Sequence, residues 1–370
     1  MFKNFTTTMI VLLVITCLSQ ALAEDDVLLE DAAIPSPSTF TCGDPTCYWE
    51  TPMDITDTAR IWAMLTHPLT VIDGHQKSQI YLLDAPSEDA TRVGEVTCDS
   101  QGVHVLEQTE DGWSFIECYS SSFAGSKVGA WNQLVRGYVP TSKLTTVEVK
   151  TTYGMVVDKL TQRLYLFKEG ELYDTLLVST GFITEGKPYN ETRSGEFRLI
   201  SAVGEFPSGN LFCGYGIRFN DGDILHEVPY VLAADGSKYY GYTERYLGEK
   251  ASHGCVRVQR LLTPKGTNMK WIWDNRKDFL GARMVVWEDL PGRSIPLPDG
   301  DTPLYYNPDG GKYYHSAETC YAVKDKYLPL TAFRYDELEE EPYSALTACP
   351  NCAPPRRVAE IEEINAAYRP

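Results

Sequence analysis

The chain has 370 residues, including ten cysteines, and its 33 basic and 51 acidic side chains give a formal net charge of −18 at pH 7. Such an acidic chain is not expected to bind nucleic acid or an anionic membrane surface through charge. Its length allows two or three domains, each with its own core, and nothing in the composition indicates an oligomeric state.

Residues 1–23 have the pattern of a secretory signal peptide. Lys3 provides a positive start, the apolar run from Met9 to Leu18 is too short to span a bilayer, and Ala21-Leu22-Ala23 is a small-residue cleavage site. An uncleaved N-terminal anchor is the alternative. No later run is long and apolar enough for a membrane span, so we expect an exported chain with no membrane span after cleavage.

Residues 24–57 are acidic and rich in proline, and they are predicted to form a linker with a small cysteine loop. In an oxidising compartment two cysteine pairs are candidates for disulfide bonds. Cys42 and Cys47 bracket a four-residue loop, and Cys98 and Cys118 lie in neighbouring β-like segments.

Residues 58–147 contain short alternating apolar segments, which predict a small β-barrel. Asp111-Gly112 is a hairpin signal between two of these segments. The series from Val103 to Leu106, through Gly112-Trp113 to Gly137–Pro140, resembles a bacterial SH3-like domain. Many members of that family bind cell-wall peptides, and a structural spacer is the alternative interpretation.

Residues 150–290 are predicted to form a second, mainly β domain. Segments with a period of two continue through this region, the stretch from Leu261 to Phe279 predicts a helix, and Met284 to Trp287 predicts a closing strand. Cys255 lies within Ser252-His253-Gly254-Cys255-Val256-Arg257-Val258, just before a short β pattern. Neighbouring cations favour a thiolate nucleophile at such a position. Cys213 is expected to be a buried thiol or a disulfide partner.

The segment from Leu247 to Val258 resembles the signature of L,D-transpeptidases, the YkuD-type cell-wall enzymes. Three upstream stretches agree with this family: Val157–Tyr165, Val178–Gly181 and Ile224–His226. Two features depart from it, since Glu191–Phe197 lacks the usual prolines and Val231–Tyr246 resembles an inserted lid. The resemblance implies a β-sandwich catalytic domain, preceded here by the SH3-like barrel.

For the site, the resemblance implies that Cys255 forms a thioester with a peptidoglycan stem peptide and that His226 is the general base. His253 is the alternative candidate for the general base, and otherwise it is predicted to hold charge or orient substrate. The backbone N–H groups around Gly254 and Cys255, in the loop that also contains Ser252, are candidate oxyanion donors. Arg257 suits either a substrate carboxylate or the fixing of the cysteine loop. No cofactor is expected for this chemistry. Two alternatives remain: an L,D-carboxypeptidase with water as acceptor, and an inactive wall-binding protein. The periplasm or the cell wall is the expected location.

Residues 300–355 are predicted to form a small Cys/His-rich module, followed by a tail over residues 356–370 with a short helix. The residue types of this module suit either a tetrahedral Zn²⁺ site or one disulfide bond. The candidates are His315, Cys320, Cys349 and Cys352.

Overall fold

The structure is a computed structural model that describes residues 53–369. The predicted signal peptide, most of the predicted linker and the Cys42–Cys47 pair lie outside the described residues. Between residues 53 and 369, no helix is long and apolar enough to cross a membrane.

The first element is helix α1 (Thr58–Thr66), and the prediction that residues 58–147 form only a β-barrel is wrong for these nine residues. The Asp57 side chain caps its N-terminus by accepting a hydrogen bond from the Arg60 backbone N–H at 3.2 Å. Ile61, Met64 and Leu65 recur at helical spacing and form its buried face. That face packs against residues of the second domain, namely Val156, Phe167, Val285 and Trp287.

Helix α1 is also held by a buried arginine of the second domain. Arg283 donates hydrogen bonds to the carbonyls of Met64 at 2.7 Å and Pro68 at 3.0 Å, and it pairs with Glu196 at 3.1 Å. The last carbonyls of a helix have no partner within the helix, so Arg283 satisfies groups that burial would otherwise leave unpaired.

The N-terminal β region contains a two-stranded pair, β1–β7, and a five-stranded antiparallel sheet in the order β3-β2-β6-β5-β4. Gly112, with a φ of +90°, lies in the turn between β4 and β5, as the Asp111-Gly112 signal predicted. The strands are β1 (Leu69–Ile72), β2 (Gln79–Leu83), β3 (Arg92–Thr97), β4 (His104–Gln108), β5 (Trp113–Tyr119), β6 (Leu134–Pro140) and β7 (Leu144–Val147).

The structure contradicts the predicted Cys98–Cys118 disulfide bond, because both residues are buried free thiols. Cys98 follows β3 and Cys118 lies in β5, and strands β2 and β6 separate these two strands in the sheet. The two cysteines therefore belong to strand segments that are not neighbours in this sheet.

A nine-stranded mixed sheet forms the second domain, in the order β11-β18-β8-β9-β10-β17-β14-β13-β12. The pairs β8–β18 and β14–β17 are parallel. The strands are β8 (Lys150–Asp158), β9 (Arg163–Lys168), β10 (Glu171–Ser179), β11 (Gly195–Arg198), β12 (Ser201–Ser208), β13 (Leu211–Arg218), β14 (Ile224–Glu227), β17 (Val256–Val258) and β18 (Ala282–Trp287), and the separate hairpin is β15 (Val231–Leu232) with β16 (Lys238–Tyr239).

The helices of this domain are shorter than the sequence predicted. They are α2 (Gly241–Glu244), α3 (Met269–Asp274) and α4 (Arg276–Phe279). The predicted helix from residue 261 instead begins at 269, where the Asn268 side chain accepts a hydrogen bond from the Trp271 N–H at 2.8 Å. Before it, Thr263 donates to Asp174 at 2.6 Å, and this side-chain bond holds a turn in place of a helix.

The C-terminal segment forms a four-stranded sheet in the order β21-β19-β20-β22, followed by helix α5 (Val358–Ala367). Its strands are β19 (Pro303–Tyr306), β20 (Tyr313–His315), β21 (Thr331–Arg334) and β22 (Thr347–Ala348). Strands β19 and β20 pair antiparallel, with Tyr305 opposite His315 and Tyr306 opposite Tyr314.

Replacing Leu65 by alanine should lower the free energy of unfolding by about 2–5 kcal/mol, because it removes buried methyl groups and leaves a cavity. Leu65 is 1% exposed and lies against Gly154 of the second domain. Thermal and denaturant unfolding measure the effect. Arg60→Ala, on the exposed face of the same helix, is the matched control. Equal stability of the two variants would contradict the packing described here.

Candidate active site

The parallel pairing of β14 with β17 defines the geometry of the site. Leu225 lies opposite Val256, and His226 lies opposite Arg257. Successive side chains of a strand point to opposite faces. Leu225 and Val256 belong to the apolar core, so His226 and Arg257 face the other side of the sheet, next to the loop that ends at Cys255. His226 and Arg257, which are 31 positions apart in the sequence, are thus brought to one face of the sheet.

The loop before Cys255 is held by Ser252. Its hydroxyl donates to the Cys255 carbonyl at 2.5 Å and accepts a hydrogen bond from the Gly254 N–H at 3.2 Å. The Ser252 N–H donates in turn to the Thr180 carbonyl at 2.9 Å. The Gly254 N–H is therefore already bonded within the loop, which disfavours its predicted role as an oxyanion donor.

Gly254 has a φ of +119°, in the region that favours glycine. A Cβ atom there would lie 2.6 Å from Asp223 Oδ1 and 3.0 Å from Arg193 Nη1. Its carbonyl accepts a hydrogen bond from the Thr192 hydroxyl at 2.7 Å, and this hydroxyl accepts one from the Gly181 N–H at 2.8 Å. Backbone conformation and close packing both require glycine at this position.

A buried ion pair lies under the loop. Arg193 Nη1 and Asp223 Oδ1 are 3.0 Å apart, and Arg193 Nη2 donates to the Ser122 carbonyl at 2.8 Å. Burial raises the pKa of Asp223, and Arg193 opposes that rise. Thr192, Arg193 and Asp223 were not predicted as site residues from the sequence, because none of them lies in the Ser-His-Gly-Cys motif. The only signal was the segment Glu191–Phe197, which aligns with the family but lacks its prolines.

His226 is 2% exposed and its Nδ1 lies 2.6 Å from the Glu227 carbonyl oxygen. A carbonyl only accepts hydrogen bonds, so Nδ1 carries the proton and Nε2 is left as the basic nitrogen. The ring packs edge-on against Phe206, with centroids 5.4 Å apart. Burial lowers the pKa of His226 to about 4, which keeps the imidazole neutral near pH 7.

The Cys255 thiol is half-buried. Burial, with a smaller contribution from Asp223, raises the pKa of Cys255 to about 11. Arg257 and Arg193 lower this pKa, but their effect is the smaller one. The neighbouring cations act in the direction expected from the sequence, but burial outweighs them, so the resting group is the thiol. This thiol needs a base before it can act as a nucleophile.

The other candidate residues occupy different positions around the loop. His253 is exposed, in contrast to His226, and burial together with Arg257 lowers the pKa of His253. Arg257 is half-buried and lies near two thiols, those of Cys255 and Cys213. Cys213 is a buried free thiol, and burial raises its pKa to about 12.

The predicted lid, Val231–Tyr246, contains the β15–β16 hairpin and helix α2. Its Tyr240 hydroxyl donates to Glu227 Oε2 at 2.9 Å, so the segment is fixed to the residue whose carbonyl orients His226. The exposed apolar side chains of this segment are Leu232, Tyr239, Tyr242 and Tyr246.

The C-terminal candidates are brought together as well. His315, Cys320, Cys349 and Cys352 each place one ligand atom within 4.8 Å of the others, which makes them a possible metal site.

These observations define a mainly β domain in which a cysteine loop and a neutral, oriented histidine share one face of a mixed sheet. Residues 152–305 match the family model of the L,D-transpeptidase catalytic domain, YkuD. This part of the chain is therefore an L,D-transpeptidase catalytic domain of the YkuD family.

Several solved structures are similar to this chain. An L,D-transpeptidase from Xylanimonas cellulosilytica is 20% identical with a TM-score of 0.26, over 36% of this chain and 60% of that one. One from Stackebrandtia nassauensis is 22% identical with a TM-score of 0.27, over 40% and 60%. One from Mycobacterium smegmatis is 16% identical with a TM-score of 0.27, over 60% and 92%. The chain thus spans 60% of the length of the first two. A comparison with curated proteins gave no match.

Thr192→Val should lower the free energy of unfolding by about 2 kcal/mol or more. It leaves the Gly254 carbonyl and the Gly181 N–H unpaired in a buried place, at about 1–3 kcal/mol for each group. Thr192→Ser keeps the hydroxyl and is the matched control, with an expected loss below about 1 kcal/mol. Denaturant unfolding of both variants measures the difference, and a valine variant as stable as the serine variant would refute the hydroxyl's role.

Proposed function

We propose that this protein is an L,D-transpeptidase that acts on peptidoglycan stem peptides through a thioester on Cys255. The observation that carries the proposal is the hydrogen bond from His226 Nδ1 to the Glu227 carbonyl. It fixes the tautomer in which Nε2 is free to take a proton, on the sheet face next to the cysteine loop.

In the first half-reaction, His226 Nε2 takes the Cys255 proton while the sulfur attacks the carbonyl between a diamino acid and a terminal D-alanine. The Cys255 backbone N–H is the proposed oxyanion donor, since the Gly254 N–H is bonded to Ser252. A well-placed donor contributes about 3–4 kcal/mol. His226 then protonates the leaving amine, D-alanine departs, and the thioester remains.

In the second half-reaction, the amine of another stem peptide attacks the thioester carbonyl. His226 takes a proton from this amine and returns it to the departing sulfur, which restores the Cys255 thiol and leaves a cross-link. All the groups in these steps belong to the chain and its substrates, so the reaction needs no cofactor. Water in place of the amine would give a carboxypeptidase product.

The remaining site residues have supporting roles in this proposal. Ser252 and Gly254 shape the loop, as their hydrogen bonds and φ indicate. Arg257 offers a guanidinium for a substrate carboxylate, and the exposed His253 contacts substrate at the entrance. We further propose that the chain is exported by residues 1–23 and works in the periplasm or cell wall. We also propose that residues 58–147, apart from helix α1, are an SH3-like domain that binds wall peptides.

Cys255→Ala should abolish D-alanine release from tetrapeptide-stem muropeptides, and it should also abolish the covalent adduct formed with a carbapenem. His226→Gln should lower the rate by roughly 10²–10⁴-fold, the range for a lost general base. Cys213→Ala, at the other nearby thiol, is the control and should keep the adduct. Intact-protein and peptide mass spectrometry locate the adduct. The ratio of cross-linked dimer to trimmed tripeptide separates transpeptidation from hydrolysis.

An active Cys255→Ala variant would overturn the thioester mechanism. An inactive wild-type chain that still binds muropeptides would support the alternative of a wall-binding protein. A His253→Gln variant that loses as much activity as His226→Gln would move the role of general base away from His226.

The pH dependence of kcat/KM should show its acid limb near pH 4, well below the usual histidine value of about 6.5. The base must be neutral, and His226 becomes protonated only as the pH falls through its lowered pKa. Activity is therefore kept through weakly acidic pH and lost below that. Rates of D-alanine release across the acidic range measure the limb, with His253→Gln as the control for substrate ionisation. An acid limb at or above pH 6.5 would contradict the proposed neutral, buried base.

A further inference from the structure

The C-terminal segment gathers four side chains with metal-binding atoms, outside the site described above. His315, Cys320, Cys349 and Cys352 have their ligand atoms within 4.8 Å of one another. The three sulfurs are largely buried, and all three cysteines are free. Three thiols and one imidazole gathered in so small a volume require a physical explanation.

The distances among these atoms fit tetrahedral coordination. Cys320 Sγ and Cys349 Sγ are 3.8 Å apart, and Cys352 Sγ and His315 Nδ1 are 3.6 Å apart. Zinc–sulfur bonds of about 2.3 Å and zinc–nitrogen bonds of about 2.05 Å, at tetrahedral angles, give edges of about 3.8 and 3.6 Å. A disulfide bond would instead need sulfurs about 2.05 Å apart. The geometry thus favours the metal alternative over the disulfide alternative.

The backbone around the cluster supports anionic sulfur. The Asn351 N–H donates to Cys349 Sγ and the Ser316 N–H donates to Cys352 Sγ, each at 3.4 Å. Outer hydrogen bonds of this kind orient metal ligands and stabilise their charge. The parallel pairing of β20 with β22 forms the scaffold, since the Cys349 N–H donates to the Tyr314 carbonyl at 3.0 Å.

We propose that His315, Cys320, Cys349 and Cys352 bind one Zn²⁺ ion, which fastens the C-terminal segment to the strand that follows the nucleophile. All four coordination positions come from the chain, so the site is structural and has no open position for catalysis.

Asn351, which lies between Cys349 and Cys352 in the sequence, connects the metal-binding loop to the second domain. Its carbonyl accepts a hydrogen bond from Gln259 Nε2 at 3.1 Å, and its side chain donates to the Leu262 carbonyl at 3.3 Å. Gln259 directly follows β17, and its Oε1 accepts a hydrogen bond from the Leu177 N–H at 2.7 Å. An ion that fixes Cys349 and Cys352 therefore also fixes the contact between this loop and the sheet that carries Cys255.

Metal analysis of the purified mature chain tests the ion itself. We expect one zinc per chain, near-complete loss of zinc in Cys349→Ser and His315→Ala, and retention of zinc in Cys118→Ala, a buried thiol elsewhere. Should the ligand variants fail to fold, Co²⁺ exchanged into the wild-type chain gives thiolate-to-cobalt charge-transfer bands and tetrahedral d–d bands. A chain that takes up neither Zn²⁺ nor Co²⁺, or a thiol count that shows a disulfide bond among the three cysteines, would overturn the proposal.

Hydrogen exchange tests the fastening. Removing the zinc with a chelator should raise exchange in residues 256–262 and 349–356, and adding Zn²⁺ back should restore protection. Residues 79–83, in the N-terminal sheet, are the internal control and should not change. Zinc loss that leaves exchange in residues 256–262 unaltered would refute the fastening. Neither experiment depends on enzymatic activity, so both outcomes are independent of the proposed transpeptidase reaction.

Discussion

The parallel pairing of β14 with β17 is the constraint on which the site depends. Parallel strands cannot be joined by a tight turn, so the chain between them must leave the sheet and return. Residues 228–255 do this, and they include both the tyrosine-rich segment and the cysteine loop. This one pairing sets the direction of the His226 side chain and places Cys255 directly before the start of β17. It also keeps residues 228–255 next to both residues.

The cysteine loop is held by polar groups buried beneath it. A buried ion pair such as Arg193–Asp223 costs desolvation energy, so it is weak evidence for stability. Here it fills the space next to Gly254 and reaches the Ser122 carbonyl of the N-terminal sheet region. We infer that its main contribution is to fix the loop in one conformation. The negative charge also helps to keep the Cys255 thiol protonated in the absence of substrate.

The sequence was most informative where function and local pattern coincide. Ser252–Val258 and Ile224–His226 indicated the family, and the period of two in residues 58–147 and 150–290 predicted that both regions are mainly β. Helix α1 was missed because its nine residues were included in a β-rich segment, and its burial depends on sheet residues that are distant in the sequence, such as Val156 and Val285. Thr192, Arg193 and Asp223 were missed because their role arises only from tertiary packing. The net rise in the pKa of Cys255 could not be predicted from the sequence, because burial outweighs the charges that are visible there.

The position of α1 has a consequence for what counts as the catalytic unit. The matched family region begins at residue 152, yet Ile61, Met64 and Leu65 cover apolar residues of its sheet, and Arg283 is bonded to carbonyls at the end of the helix. A fragment cut at the family boundary would expose an apolar surface and leave a buried guanidinium without those carbonyls. The unit recognised by sequence similarity is therefore smaller than the unit that folds, and expression of the domain should start before residue 57.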